Sequence, residues 1–358
     1  MSGRGEVALS DFLGVAAAEH AAATREHGAV ERTLTVGAVG VRLRFAGAGL
    51  ADALLPAFGP RIGGGGDAPA RIDLWEETAV PGGHAPAPWS ERQLEARGLV
   101  RGPRGSGLFA VEEGSGTITL VDAPARVLRY RAPSAERLPW WERAAPMRPA
   151  LFWALGGHGR YLLHGAAVGD ERGGVLLVGA GGSGKTTLAV AAAAAGLRYV
   201  GDDYVLIDAG PPPRALNLYA TAKLDDGHLA RFPELDAFAR APAELEEEDE
   251  KHVIDVREAW PGALTEELVL RAVAVPRIVD GAARLRAASP GAALLGVAPS
   301  TVMQMPYDGG AILSSLARLT RALPCFAISV GDDREALAGV LDELLELASG
   351  REPAGAPR

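Results

Sequence analysis

The spacing of hydrophobic and polar residues divides this chain into a β-rich first part and a mixed second part. Residues 1–30 are polar and alanine-rich with helical spacing, which predicts an N-terminal helical arm. Two-residue alternation begins at 33–36 and 39–45 and returns at 71–75, 107–111, 117–121 and 126–130, each run reading as a strand. Between them a short helix is expected over 50–58 and a glycine loop over 63–66. The stretch 81–107, dense in Pro, Gly and Arg, reads as a long mobile connection. Residues 1–145 are therefore expected to form a β-rich N-terminal region that presents a substrate.

From residue 146 helices and strands alternate. A helix is expected over 150–155, adjacent strands over 161–168 and 174–178, a helix over 185–195, and strands at 198–200 and 204–208 before a rigid turn at Pro211 to Pro213. The acidic run 244–250 reads as a solvated face. A helix over 312–323 and a strand over 326–330 lead to Asp332 or Asp333 as N-cap of a last amphipathic helix, with Leu337, Val340, Leu341, Leu344 and Leu345 on its apolar face. Residues 146–350 are expected to be one α/β domain.

Composition narrows the class. With 48% hydrophobic and 23% charged residues and no apolar run near the roughly 18 to 20 needed for a membrane span, a soluble protein without a membrane partner is expected. The first residues lack a basic-then-apolar signal pattern, so the cytoplasm is the expected location. A formal charge of −9 argues against nucleic acid, because nonspecific binding needs a basic surface to displace counterions. The single cysteine, Cys325, reads as a packed thiol entering a buried strand. Of 36 basic residues only Lys185, Lys223 and Lys251 are lysine, so these three mark candidate positions where a compact ammonium is needed.

The chemistry concentrates in the second part. Gly179-Ala-Gly-Gly-Ser-Gly-Lys-Thr186 has the G-x-x-x-x-G-K-[ST] spacing of a P-loop, between an apolar strand and an alanine-rich helix. Gly179, Ala180, Gly181, Gly182, Ser183, Gly184, Lys185, Thr186 and Thr187 are expected to hold a nucleoside triphosphate: backbone amides curl round the phosphates, Lys185 reaches the β and γ groups, and Thr186 ligates Mg²⁺. Asp202 and Asp203 follow 17 and 18 residues after Lys185 at the mouth of the next strand, where one carboxylate could hold Mg²⁺ and the other accept a proton. His164, one strand from the phosphates, is either a packed core histidine or a residue orienting Asp203 or the γ-phosphate.

Tyr161-Leu-Leu-His-Gly-Ala-Ala-Val168, the P-loop with its flanks from Gly174 to Ala189, and Gly196-Leu-Arg-Tyr-Val-Gly-Asp-Asp203 together resemble the C-terminal domain of HPr kinase/phosphorylase. The resemblance covers about forty residues strongly. It implies a phosphoenolpyruvate-carboxykinase-like α/β fold with a P-loop nucleotide-binding core, His164 and Asp203 as active-site residues, Asp203 as the base that deprotonates a serine hydroxyl, and Lys185 and Thr186 on phosphate and magnesium. With Asp203 as base, the division of labour between the two carboxylates leaves Asp202 as the expected metal ligand. The family's N-terminal domain has no counterpart in residues 1–145, and its Arg-Gly-Leu-Gly segment is absent, with Val253-Ile-Asp-Val-Arg257 only a faint echo. Residues 217–224 and 324–331 look like a divergent branch, some members of which resemble kinases of ribosomally made peptides.

The leading expectation is an ATP-dependent serine kinase of a protein or peptide acceptor, with GTP an alternative to ATP and Mg²⁺ as cofactor. A nucleotide-gated module or slow ATPase, and a kinase of a small metabolite, stay open beside it, as does a homo-oligomer. Lys223 and Lys251 each lie in a segment that could fold back over the mouth of the loop, and at least one of them is expected to contact the γ-phosphate or the phosphorylated product.

Overall fold

A computed structural model describes residues 9–63, 68–156, 160–240, 251–304 and 309–350. The acidic run and most of the glycine loop expected at 63–66 lie outside them. The chain divides into two compact units, the first taking residues up to Gly156 and the second nearly all of those that follow.

The first unit carries α1 (Leu9–His27), β1 (Ala29–Val36), β2 (Val39–Ala46), α2 (Gly49–Leu54), β3 (Ile62–Gly63), β4 (Ala70–Glu76), β5 (Leu99–Arg101), β6 (Leu108–Glu112), β7 (Ile118–Asp122), β8 (Val127–Ala132), α3 (Trp140–Ala144) and α4 (Arg148–Leu155). Its eight strands form one sheet in the order β3-β1-β2-β4-β8-β7-β6-β5. The expected alternation is there, with the even positions of β1 and the odd positions of β2 buried towards its C-terminal half. α1 buries Leu9, Phe12, Leu13, Ala16 and Ala23, so the expected arm is packed into a core that also holds Trp75 and Trp89.

The stretch expected to be a mobile connection is instead tied down. The backbone N–H of Ala85 donates to Glu19 at 2.6 Å and its carbonyl accepts from Arg131 at 2.8 Å, while Arg131 also pairs with Glu77 at 3.1 Å. Trp89 donates to Glu112 and stacks edge-on against Phe12 with centroids 5.4 Å apart. The Pro and Gly content reflects turns around these anchors, and β5 closes the sheet edge beyond them.

The second unit carries β9 (Arg160–Asp170), β10 (Gly173–Val178), α5 (Lys185–Ala194), β11 (Arg198–Gly201), β12 (Tyr204–Asp208), β13 (Arg214–Leu216), β14 (Thr221–Leu224), α6 (Asp226–Arg231), β15 (His252–Asp255), α7 (Val256–Ala259), β16 (Glu267–Ile278), β17 (Arg284–Ala288), α8 (Pro290–Gln304), α9 (Gly309–Ala322), β18 (Cys325–Val330) and α10 (Arg334–Ser349). β9 is the organising strand: its first half pairs with β12, and its second half with β10 on one edge and β11 on the other. β16 pairs with β13, then β10, then β18, so the circuit β9-β12-β13-β16-β10 closes on itself. The short β13 closes this circuit by bridging β12 and β16.

α5 lies in a core of alanine, leucine and valine against α10, whose buried face is the expected one of Leu337, Val340, Leu341, Leu344 and Leu345, extended by Ala348. Asp333 is the N-cap, accepting from the amides of Glu335 and Ala336. No helix among the described residues is long and apolar enough to cross a membrane. Cys325 is buried, its thiol donating to the carbonyls of Thr320 and Leu323, and burial pushes its pKa up to about 11.

Candidate active site

The glycine-rich segment 179–184 runs from the end of β10 into the first residue of α5. Gly182 and Gly184 have φ of +73° and +101°, the left-handed region that glycine enters without penalty. A Cβ on Gly184 would also meet the Val330 side chain of β18 at 3.0 Å. The sequence therefore needs glycine here for two reasons, backbone handedness and close approach. Lys185, 6% exposed, turns its ammonium back onto the loop, donating to the carbonyls of Gly179 at 2.9 Å and Ala180 at 3.0 Å. Burial lowers its pKa against the pull of Asp202 and Asp203, and Lys251 adds to the lowering.

Asp202 and Asp203 form the turn between β11 and β12. The register of β11 against β9 shifts between Tyr199 and Gly201, and Asp203 has φ of +68°, a strained value for a residue with a Cβ. The strain is held by hydrogen bonds: the Asp203 carbonyl accepts from the Gly165 amide at 3.1 Å and the Asp202 carbonyl from the Tyr204 amide at 2.8 Å. Asn217, fully buried, donates to the carbonyls of Val200 at 2.6 Å and Tyr219 at 2.8 Å, tying β11 to the segment that leads into β14.

The result brings three expected residues together. His164 Nε2 lies 2.8 Å from Asp203 Oδ1, and Lys223 Nζ on β14 lies 2.5 Å from Asp203 Oδ2. His164 is paired in register with Tyr204, and the Lys223 ammonium stands 5.3 Å from the Tyr204 ring centroid. The His164 amide donates to the Thr301 hydroxyl of α8 at 3.3 Å. Burial alone would raise the Asp203 pKa, but Lys223 and His164 outweigh it and hold the carboxyl well below the usual range.

Asp202 is the opposite case. It is 6% exposed and neither carboxylate oxygen has a hydrogen bond within normal geometry. Burial and the neighbouring Asp203 push its pKa up, with the Thr186 hydroxyl and the Lys185 ammonium pulling the other way. The two adjacent carboxyls are thus driven apart, Asp203 held low by Lys223 and His164 and Asp202 raised by burial and by Asp203.

Lys251 precedes β15 and is exposed, yet its charge is felt at both Lys185 and Asp225. The three lysines of the chain thus stand about one region. Sequence reasoning placed Lys223 on a phosphate and missed its bond to Asp203, and it missed Asn217, Thr301 and His228 altogether. His228 of α6, 3.2 Å from the Thr187 hydroxyl, carried no signal because helix, turn and partner all depend on the β14–β15 pairing.

No protein-family profile matches the chain, and no curated protein matches it. Among solved structures it is similar to the Hpr(Ser) kinase/phosphatase from Coxiella burnetii, at 11% identity over 52% of this chain and 97% of that one, with a TM-score of 0.28. The chain itself is a mixed α/β protein built on two large sheets, with the glycine loop, the carboxylate pair and His164 all in its second unit.

Proposed function

We propose that the chain is an ATP-dependent serine kinase of HPr kinase type, with a P-loop nucleotide-binding core of that fold, transferring the γ-phosphate to a hydroxyl on a protein or peptide. One observation carries the reading: the glycine loop with its buried lysine shares a small region with a carboxylate that a histidine and a second lysine hold from either side. The amides of the loop and of the first turn of α5 would receive the phosphates. Lys185 would supply the charge that stabilises the transferred group.

Thr186 and Asp202 would hold Mg²⁺. The residues fit, since a buried carboxylate whose oxygens lack hydrogen bonds is the kind of group that a cation satisfies. No cluster of three or more His, Cys, Asp and Glu that could hold a metal occurs among the described residues, in keeping with an ion held largely by phosphate oxygens and water. When bound, the ion neutralises charge on the β and γ groups.

Asp203 would accept the proton of the acceptor hydroxyl as its oxygen bonds to phosphorus and the bond to the bridging oxygen of the diphosphate breaks. His164 fixes the direction of the carboxylate through Oδ1. The bond from Lys223 to Oδ2 weakens the base, so the ammonium would serve best by turning to the phosphoryl group, which both stabilises that group and restores the basicity of Asp203. That same bond favours a second reading, a nucleotide-gated module or slow ATPase in which Asp203 stays paired. Equilibrium binding of a fluorescent ATP analogue, with Lys185→Ala and Thr186→Ala beside the wild type, tests the shared premise; equal affinity in all three removes the loop from the account.

A further inference from the structure

Thr187, third residue of α5, is 5% exposed, and its Oγ1 lies 3.2 Å from Nε2 of His228. The other ring nitrogen, Nδ1, lies 2.6 Å from Oδ1 of Asp225. The same oxygen accepts the His228 amide at 2.9 Å as N-cap of α6, so one carboxylate caps the helix and aligns the ring. A carboxylate only accepts, which places a hydrogen on Nδ1. Nε2 is then an acceptor in the neutral ring and a donor in the imidazolium.

The two states present different hydroxyls. Beside the neutral ring, Thr187 donates its proton to Nε2 and offers only lone pairs elsewhere. Beside the imidazolium, Oγ1 accepts from Nε2 and its own proton is free for an anion. Side chains of a helix tilt towards its N-terminus, so the hydroxyl at the third position lies at the end where unpaired amides gather negative charge.

We propose that Asp225, His228 and Thr187 form a relay that couples phosphate binding at the loop to proton uptake by His228. The inference rests on reading the loop as a nucleotide site, and it adds a regulation of that site: nucleotide binds more tightly as pH falls. Among the described residues the other charges near this pair are Lys251, close enough to act on Asp225, and the Asp226–His252 pair at 2.9 Å. Lys251 opposes the imidazolium, and Asp225, in contact with the ring, favours it.

Calorimetric titration of the full chain with ADP, without metal, in buffers of different ionisation enthalpy reads the protons taken up. The ligand's own phosphate titration is common to all variants and cancels in comparisons between them. The wild type is expected to take up protons in excess of His228→Asn, and its affinity to gain up to about tenfold more per unit fall in pH, the limit for one linked proton. Asp225→Asn keeps an N-cap while removing the carboxylate and is expected to lose most of the excess. Thr187→Ser is expected to keep it, and Thr187→Val to lose it. Binding with no excess uptake, or uptake unchanged in His228→Asn, overturns the relay; absence of ADP binding in the wild type overturns the nucleotide site itself and the relay with it.

Discussion

Replacing Lys223 by methionine keeps most of the stem and removes the ammonium that lies 2.5 Å from Asp203 Oδ2. Truncating one side of a fully buried ion pair costs about 3–5 kcal/mol. Asp203 keeps 27% of its side-chain surface exposed and retains His164 at 2.8 Å, so the loss should be nearer that of one hydrogen bond to a charged group, about 1–3 kcal/mol. The sign with pH follows from the depressed pKa of Asp203. A carboxyl held below its unfolded value contributes stability above that value and loses it as pH falls through the folded one. The difference between wild type and variant should therefore be full at pH 7, begin to shrink below about pH 4 and continue to shrink into strong acid. Five of the six tryptophans lie before residue 157, so fluorescence reports mainly the other unit. Hydrogen exchange read peptide by peptide over β9 to β15 is the better assay, with protection expected to fall roughly 5- to 150-fold at pH 7. Unchanged protection at neutral pH, or a difference that grows in acid, would mean that the Lys223–Asp203 pair does not stabilise this region.

Asp203→Asn is expected to keep nucleotide binding yet lose transfer by about 10² or more, since a general-base step contributes at least that much; loss of MgATP binding instead would make Asp203 a metal ligand and Asp202 the candidate base. Gly184→Ala places a Cβ at φ +101° and 3.0 Å from Val330, and should cost roughly 1–3 kcal/mol in urea unfolding, with part of it recovered by adding Val330→Ala; additive losses in the double variant would contradict the contact. Arg131→Met leaves Glu19 buried without its partner and should free the segment around Ala85, so that trypsin cuts at Arg92 and Arg97 on the order of 100-fold faster; unchanged cleavage would mean that the anchors lie elsewhere.

What was legible in the sequence was local. β1 and β2 announce themselves by alternation, α5 by its alanines after a glycine loop, and α10 by an acidic cap and a leucine face. β16, the longest strand of the second unit, was not legible, because it is buried along much of its length without clean alternation and contains Pro276. The structure tolerates that proline because pairing with β10 ends at Ala274, and one edge is free beyond it. α8 hid in the same way behind Pro299. Within the site, the loop and the carboxylate pair were readable as motifs. The bond from His164 to Asp203 was one of the readings open for that histidine. The bond from Lys223 to Asp203 and the seat of His228 were not legible, since each joins elements whose pairing is set by the whole circuit of strands.

Transfer of the γ-phosphate to a hydroxyl can be followed by isotope tracing. A library of proteins and peptides would be incubated with Mg²⁺ and ATP labelled with ¹⁸O in the γ-phosphate, using wild type, Asp203→Asn and Lys185→Ala, and phosphorylated residues read by mass spectrometry. Labelled phosphoserine is expected with the wild type, lower by about 10² or more with Asp203→Asn, and none with Lys185→Ala. Labelled inorganic phosphate without any labelled serine in the wild type, or labelled serine undiminished in Lys185→Ala, would contradict transfer at this site.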